Sequence, residues 1–106
     1  MPVRTASIDE LESALARGAH LIDVREAHEF AAGRVPGSRL IPMGTVPDNV
    51  EAFRAADTYV ICHSGGRSHR VCEFLADHGI DAVNVVGGTS AWAMSGRPLD
   101  LEDSAS

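Results

Sequence analysis

The sequence contains no lysine, because all nine basic residues are arginine. This absence excludes a lysine nucleophile or a Schiff-base lysine. The longest unbroken apolar runs are four residues, at 59–62 and 91–94, whereas a transmembrane helix needs about 20. Two cysteines are too few for a disulfide framework. No apolar stretch follows the charged start of the chain, so we expect no secretory signal, a cytoplasmic location and reduced cysteines.

The chain is short and acidic. With 106 residues, 44% of them apolar, it is expected to form one domain with a modest core over residues 1–99. Residues 100–106 are acidic and small, and we expect a short disordered tail there. The formal net charge of −6 argues against nucleic acid or a membrane as a partner, because both attract a basic surface.

The hydrophobic pattern changes its period several times along the chain. A capping box of Ser7 and Glu10 predicts the start of a first helix, and Gly18 predicts its end. Short apolar runs predict strands, and amphipathic stretches predict helices between them. The predicted strands cover residues 20–24, 39–41, 58–61 and 82–86, and the further helices cover residues 27–32, 47–56, 89–94 and the stretch after residue 68 to about 78. Alternation of strands and helices predicts an α/β fold, and continuously apolar strands predict a mostly parallel sheet covered on both faces.

Cys62 stands where this fold places active sites, beyond the carboxyl end of a strand. The six residues that follow lead into a predicted helix N-terminus, and Gly65 and Gly66 let the backbone turn its N–H groups inward. Residues 58–72 contain two arginines and two histidines and no carboxylate, which predicts a locally positive cradle. A thiol there should be acidified, since helix N-termini and cations lower a cysteine pKa from about 8.5 to roughly 3.5–7.5. This pattern favours a nucleophile over a buried core thiol.

Other residues of this loop are candidates for binding. The backbone N–H groups of residues 63–68 would stabilise an anionic sulfur, which brings in His63, Ser64, Gly65, Gly66 and Ser68. Arg67 is interpreted as binding an anion, in preference to a purely structural salt bridge. For His63, a general base stays open, and a loop N-cap or a solvent-facing ring is an equal alternative.

Asp23 and Arg25 end a strand at the same sheet edge, where we expect an Asp–Arg pair that holds loops together. Cys72 lies within a predicted helix and is expected to be a buried structural thiol. The remaining histidines, His20, His28 and His78, are scattered without metal-ligand spacing. The glycine pair at 87–88 lacks the spacing of a dinucleotide fingerprint, and we interpret it as a turn. No metal and no cofactor is therefore expected.

The chain resembles the rhodanese (sulfurtransferase) family over almost its whole length. The resemblance lies in four segments with the family's order and spacing, namely residues 21–26, residues 33–38 with 41–42, the catalytic loop 62–68, and the closing residues 87–88, 91–92 and 96–98. Two small departures are Arg34, where a histidine is frequent, and His28 at a variable place. The resemblance implies a three-layer sandwich with a five-stranded, mostly parallel sheet and helices on both faces.

The resemblance also implies a mechanism and its partners. Cys62 would take the outer sulfur of thiosulfate or a similar persulfide donor, become a persulfide, and pass that sulfur to a thiol or cyanide. Whether a sulfur-relay protein delivers the sulfur stays open.

The alternatives are a cysteine-based phosphatase or arsenate reductase of the same fold, and a persulfide-carrying interaction module. The related phosphatases have one residue more between cysteine and arginine than the four found here, and interaction modules usually lack the cysteine. Both comparisons favour sulfur transfer.

Overall fold

The computed structural model describes residues 2–101. Its strands are β1 (Arg4–Ala6), β2 (His20–Asp23), β3 (Arg39–Leu40), β4 (Thr58–Ile61) and β5 (Val83–Val85). Its α-helices are α1 (Ile8–Ala16), α2 (Ala27–Ala32), α3 (Gly66–Asp77) and α4 (Gly88–Met94), and two 3₁₀ helices cover Met43–Asp48 and Val50–Phe53.

All five strands form one sheet in the order β1-β5-β4-β2-β3, and every neighbouring pair is parallel. Alternate residues of β4 enter two separate cores. Val60 packs with α3 and the 3₁₀ helices on one face, whereas Tyr59 and Ile61 pack with α1 and α4 on the other. The predicted α/β fold, with a five-stranded parallel sheet between two helical layers, is therefore confirmed.

The edge strand β1 had no signal of its own in the sequence. Arg4 and Thr5 are exposed and only Ala6 is buried, so β1 lacks the apolar run that marks the inner strands. Its place is set by pairing, because Arg4, Thr5 and Ala6 lie in parallel register with residues 83–85 of β5. The resemblance implied a fifth strand, but local pattern did not reveal which residues form it.

The predicted helix over residues 47–56 is wrong, since two 3₁₀ helices occupy residues 43–53 instead. Pro47 lies inside the first of them, where an α-helix would lose a hydrogen bond and meet the proline ring. Asn49, with φ of −129°, separates the two. Short 3₁₀ pieces accommodate such a chain, and Phe53 still reaches the core with an exposed fraction of 1%.

The end of the described chain pairs with the segment after α2. The backbones of Arg34 and Asp100 exchange two hydrogen bonds, of 2.9 and 2.8 Å. Asp100 is thereby tied to the fold, although the sequence assigned it to the tail. Residues 102–106 of that predicted tail lie outside the described residues. None of the helices within residues 2–101 has the length and apolar character needed to cross a membrane.

A buried ion pair closes the carboxyl end of β2. Asp23 is fully buried and Arg25 is 4% exposed. The Nε and Nη2 atoms of Arg25 donate to the Asp23 carboxylate at 3.0 and 2.8 Å, and its backbone N–H donates to Asp23 Oδ1 at 3.0 Å. Arg25 Nη2 also donates to the carbonyl of Gly33 at 2.8 Å, which joins the loop after β2 to the end of α2.

We predict that Asp23→Ala destabilises the protein by about 3–5 kcal/mol, because it leaves the Arg25 guanidinium buried and unpaired. Asp81→Ala is the control, since Asp81 pairs with Arg4 at the surface, where both side chains are more than half exposed. Its cost should stay within about 1 kcal/mol. Urea unfolding measures both values, and equal losses for the two variants would contradict the prediction.

Candidate active site

The Cys62 sulfur lies at the centre of a loop that joins β4 to α3. Cys62 directly follows β4 and is 1% exposed. Its Sγ accepts the backbone N–H of Gly65 at 3.1 Å, the N–H of Ser68 at 3.4 Å and is 3.3 Å from the Ser68 hydroxyl. Gly65 caps α3 with φ of 109°, a left-handed conformation that favours glycine. The backbone thus turns its donors onto a single sulfur atom.

These hydrogen bonds decide the ionisation of Cys62. Burial, the largest single influence, raises the pKa of its thiol, but the Ser68 hydroxyl and the N–H groups of Ser68, Gly65 and Ser64 together outweigh it and lower the pKa. Burial without such donors raises the pKa of Cys72 to about 12. Of the two cysteines, Cys62 is therefore the one whose surroundings favour the thiolate form, which is the nucleophilic form of the group.

Asn84 of β5 is a neighbour that sequence reasoning missed. Its Oδ1 makes the shortest contact of the Ser68 hydroxyl, and its Nδ2 lies 3.4 Å from the carbonyl of Gly65. The Ser68 hydroxyl has one hydrogen, and three acceptors compete for it: Cys62 Sγ, Asn84 Oδ1 and the carbonyl of Gly65 at 3.2 Å. The Ser68 hydroxyl can therefore rotate: it can donate its hydrogen bond to an anionic sulfur, or to Asn84 when the sulfur is neutral.

Glu29 of α2 is a second neighbour that the sequence did not reveal. The guanidinium of Arg67 binds the Glu29 carboxylate in a bidentate ion pair, with Nη1–Oε1 at 2.7 Å and Nη2–Oε2 at 2.9 Å. The expected positive cradle was a property of residues 58–72 alone, and Glu29 brings a negative charge into it from another element. Anion binding by Arg67 stays a prediction beside this observed salt bridge.

The other predicted loop residues lie at the surface of the loop. His63, Ser64 and Gly66 are exposed. His63 borders a groove between α2 and α4, together with Glu29 and Thr89. Asp23 and Arg25 form the buried ion pair described above. Within residues 2–101, no three histidine, cysteine or acidic side chains come together in a way that could hold a metal ion.

The start of α4 fastens the first two residues of the loop. The N–H groups of Thr89 and Ser90 donate to the carbonyls of Cys62 and His63, each at 2.9 Å. Gly88 makes this approach possible, because a Cβ there would stand 2.6 Å from the oxygen of His63 and even nearer that of Cys62. The glycine pair read from the sequence as a turn is thus also a close contact with the site.

The chain is similar in sequence to known proteins. The model of the rhodanese-like domain family matches residues 7–95. A putative sulfurtransferase, YtwF of Bacillus subtilis, is 44% identical over 80 residues, which cover 74% of this chain and 78% of that protein. The thiosulfate sulfurtransferase GlpE of Pseudomonas putida is 33% identical over 84 residues, covering 77% and 76%.

Solved structures give the same result. A rhodanese-like domain protein from Staphylococcus aureus has a TM-score of 0.82 at 40% identity, covering 93% of this chain and 98% of that one. A rhodanese-related protein from Thermoplasma volcanium has a TM-score of 0.85 at 30% identity, covering 93% and 99%. The chain is a parallel α/β domain with a cysteine loop at the carboxyl edge of its sheet. It belongs to the rhodanese-like domain family, as its sequence motifs indicated.

We predict that Gly88→Ala distorts the loop, because its Cβ would overlap the Cys62 and His63 carbonyls and its φ of +60° disfavours alanine. We expect a loss of about 2 kcal/mol or more in unfolding free energy and slower alkylation of Cys62. Gly44→Ala is the control, since nothing lies within 4 Å of a Cβ there. Denaturant unfolding and iodoacetamide kinetics test this, and a Gly88→Ala protein with wild-type values would contradict it.

We further predict that the Ser68 hydroxyl helps to acidify Cys62. Alkylation follows the thiolate, so its rate should rise with pH through a midpoint below the ordinary thiol value of about 8.5. Ser68→Ala removes one donor and should move this midpoint upward, whereas the exposed Ser13→Ala should leave it in place. Iodoacetamide rates across pH measure it. An unmoved midpoint in Ser68→Ala would contradict the prediction and mean that the hydroxyl hydrogen stays with Asn84 or the Gly65 carbonyl.

Proposed function

We propose that this protein is a sulfurtransferase that carries a sulfane sulfur as a persulfide on Cys62. The observation that carries the proposal is the Cys62 sulfur, which accepts backbone N–H groups at the start of α3 and has a lowered pKa. Relatives of the chain that are named sulfurtransferases support it. The proposed donor is thiosulfate or a similar persulfide, and the proposed acceptor is a thiol or cyanide.

The first half-reaction is a displacement at sulfur. The Cys62 thiolate attacks the outer sulfur of the donor, a new S–S bond forms, and the donor's own S–S bond breaks. The electron pair of that bond leaves with sulfite when the donor is thiosulfate, or with a thiolate when it is an organic persulfide. Charge is conserved in either case, and no external oxidant is needed.

The loop would stabilise both forms of the sulfur. The N–H groups of Ser64, Gly65 and Ser68 act on the thiolate, and after transfer the N–H groups of residues 63–68 would surround the persulfide anion. Gly65 makes the turn into α3, Gly66 is the first residue of that helix, and Arg67 would act on the charge of the donor. In the second half-reaction an acceptor nucleophile attacks the outer sulfur and restores the Cys62 thiolate.

Phosphate-ester or arsenate chemistry at this site is less well supported. The loop has four residues between Cys62 and Arg67, and a short loop encloses a single sulfur atom better than a tetrahedral oxyanion. Arg67 is also engaged by Glu29. A purely interacting domain would have no need of an acidified cysteine.

The partners and the location are part of the same proposal. A relative named a putative sulfur carrier protein, YrkF of Bacillus subtilis, is 36% identical over 75 residues, which cover 40% of that protein. This similarity supports a place in sulfur relay, with another protein as donor or acceptor. We place the reaction in the cytoplasm, where both cysteines stay reduced, and without nucleic acid, a membrane or a cofactor.

Thiosulfate or organic persulfide treatment, followed by intact mass measurement, tests the proposal. The wild type should gain the mass of one sulfur atom, and Cys62→Ser should gain none. Cys72→Ser is the matched control and should still load, because burial keeps the Cys72 thiol protonated. Cyanide should then remove the added sulfur. Sulfur held on Cys72 in the Cys62→Ser protein would contradict the assignment.

A further inference from the structure

Arg67 is the cation that an anionic donor would need, and it is already paired with Glu29. Both carboxylate oxygens of Glu29 are engaged by the two terminal nitrogens of Arg67, at 2.7 and 2.9 Å. The two side chains are only about one-third and one-quarter exposed. Such a bidentate, partly buried ion pair is stronger and more directional than an ordinary surface salt bridge.

Glu29 is also held in place from its own helix. Its Oε1 accepts the backbone N–H of Glu26 at 3.0 Å, as part of the capping box of α2. The hydrogen bond from Arg67 chiefly lowers the pKa of Glu29, to about 2. The carboxylate therefore remains charged at neutral pH and remains beside Arg67.

The charges around Cys62 consequently sum to a negative value once the thiol ionises. Arg67 is balanced by Glu29, and Arg25 is balanced by the buried Asp23. The cysteine thiolate adds one further negative charge. Arg70, the remaining arginine of α3, is exposed on the helix surface, where solvent screens it.

We propose, on the basis of the sulfurtransferase function above, that Glu29 is a specificity-determining residue that disfavours dianionic donors such as thiosulfate and favours organic persulfides. A dianion must displace Glu29 from Arg67 or enter a site whose ion pair carries no net charge. The outer sulfur of an organic persulfide arrives with one negative charge or none. The persulfide reaction balances as Cys62–S⁻ + R–S–SH → Cys62–S–SH + R–S⁻.

Glu29→Gln tests this with little change in shape. The amide oxygen can still accept the Glu26 N–H, but the carboxylate charge that occupies Arg67 is gone. Loading of Cys62 is followed in single turnovers by rapid quenching and intact mass, with thiosulfate and with 2-hydroxyethyl persulfide as donors. We expect thiosulfate loading to rise about tenfold or more, the effect of freeing one charge-assisted contact. Persulfide loading should change by less than about threefold.

Glu73→Gln is the matched control. Glu73 lies on α3, and its Oε2 is 3.7 Å from Nε2 of the exposed His69. Its substitution removes the same unit of charge, but from a carboxylate that is not paired with Arg67. We expect both donors to load this variant at nearly wild-type rates, because exposed charges contribute little. A rise in thiosulfate loading equal to that of Glu29→Gln would mean that net charge alone is responsible, and would overturn the inference.

The remaining outcomes are also decisive. Equal fold-changes in the loading rates of both donors in Glu29→Gln would leave their ratio unchanged. That outcome would show that Glu29 only shapes the loop and has no selective role. If the wild type loaded from neither donor, the proposed function itself would fail.

The wild type offers a test without any variant. Its ratio of thiosulfate to persulfide loading should rise with ionic strength, since screening weakens the repulsion of a dianion more than that of a monoanion. A ratio that fell with salt would overturn the inference even if Glu29→Gln did not fold.

Discussion

A buried thiol can ionise only where hydrogen-bond donors replace the water that it has lost. The two cysteines of this chain show both sides of this constraint, since both are almost fully buried. Cys72 lies in the apolar core and its pKa rises to about 12, whereas the donors around Cys62 lower its pKa. Those donors are mainly backbone N–H groups, so the chemistry depends on the path of the main chain between β4 and α3.

Much of the remaining structure holds that path in place. The parallel sheet brings the end of β4 beside β2 and β5, and α4 donates two N–H groups to the first carbonyls of the loop. Gly88 allows the contact because no side chain intervenes. Asn84 reaches from β5 to the hydroxyl of Ser68 and to the carbonyl of Gly65. The loop is therefore braced by elements that carry no reacting group.

The electrostatics of the site follow from the ion pairs that its arginines form with carboxylates. Two arginines stand at the sheet edge near Cys62, and each has a carboxylate partner, Asp23 for Arg25 and Glu29 for Arg67. The field at the sulfur thus arises from aligned peptide groups and the start of a helix rather than from an excess of positive side chains.

By itself, the sequence determined the local features: the inner strands, the capping box of Ser7 and Glu10, the helix over 27–32 and Cys62 at a strand end. Periodicity, caps and turn residues act between near neighbours, so these features can be read from short windows. The 3₁₀ helices were misread because the pattern of residues 47–56 does not show that the helical segment already begins at Met43, which puts Pro47 in its interior. Tertiary structure alone decided that Glu29 meets Arg67 across 38 residues and that Asn84 meets Ser68 across 16. Such contacts arise from how strands and helices assemble, and no local pattern encodes the distance between two side chains that the fold brings together.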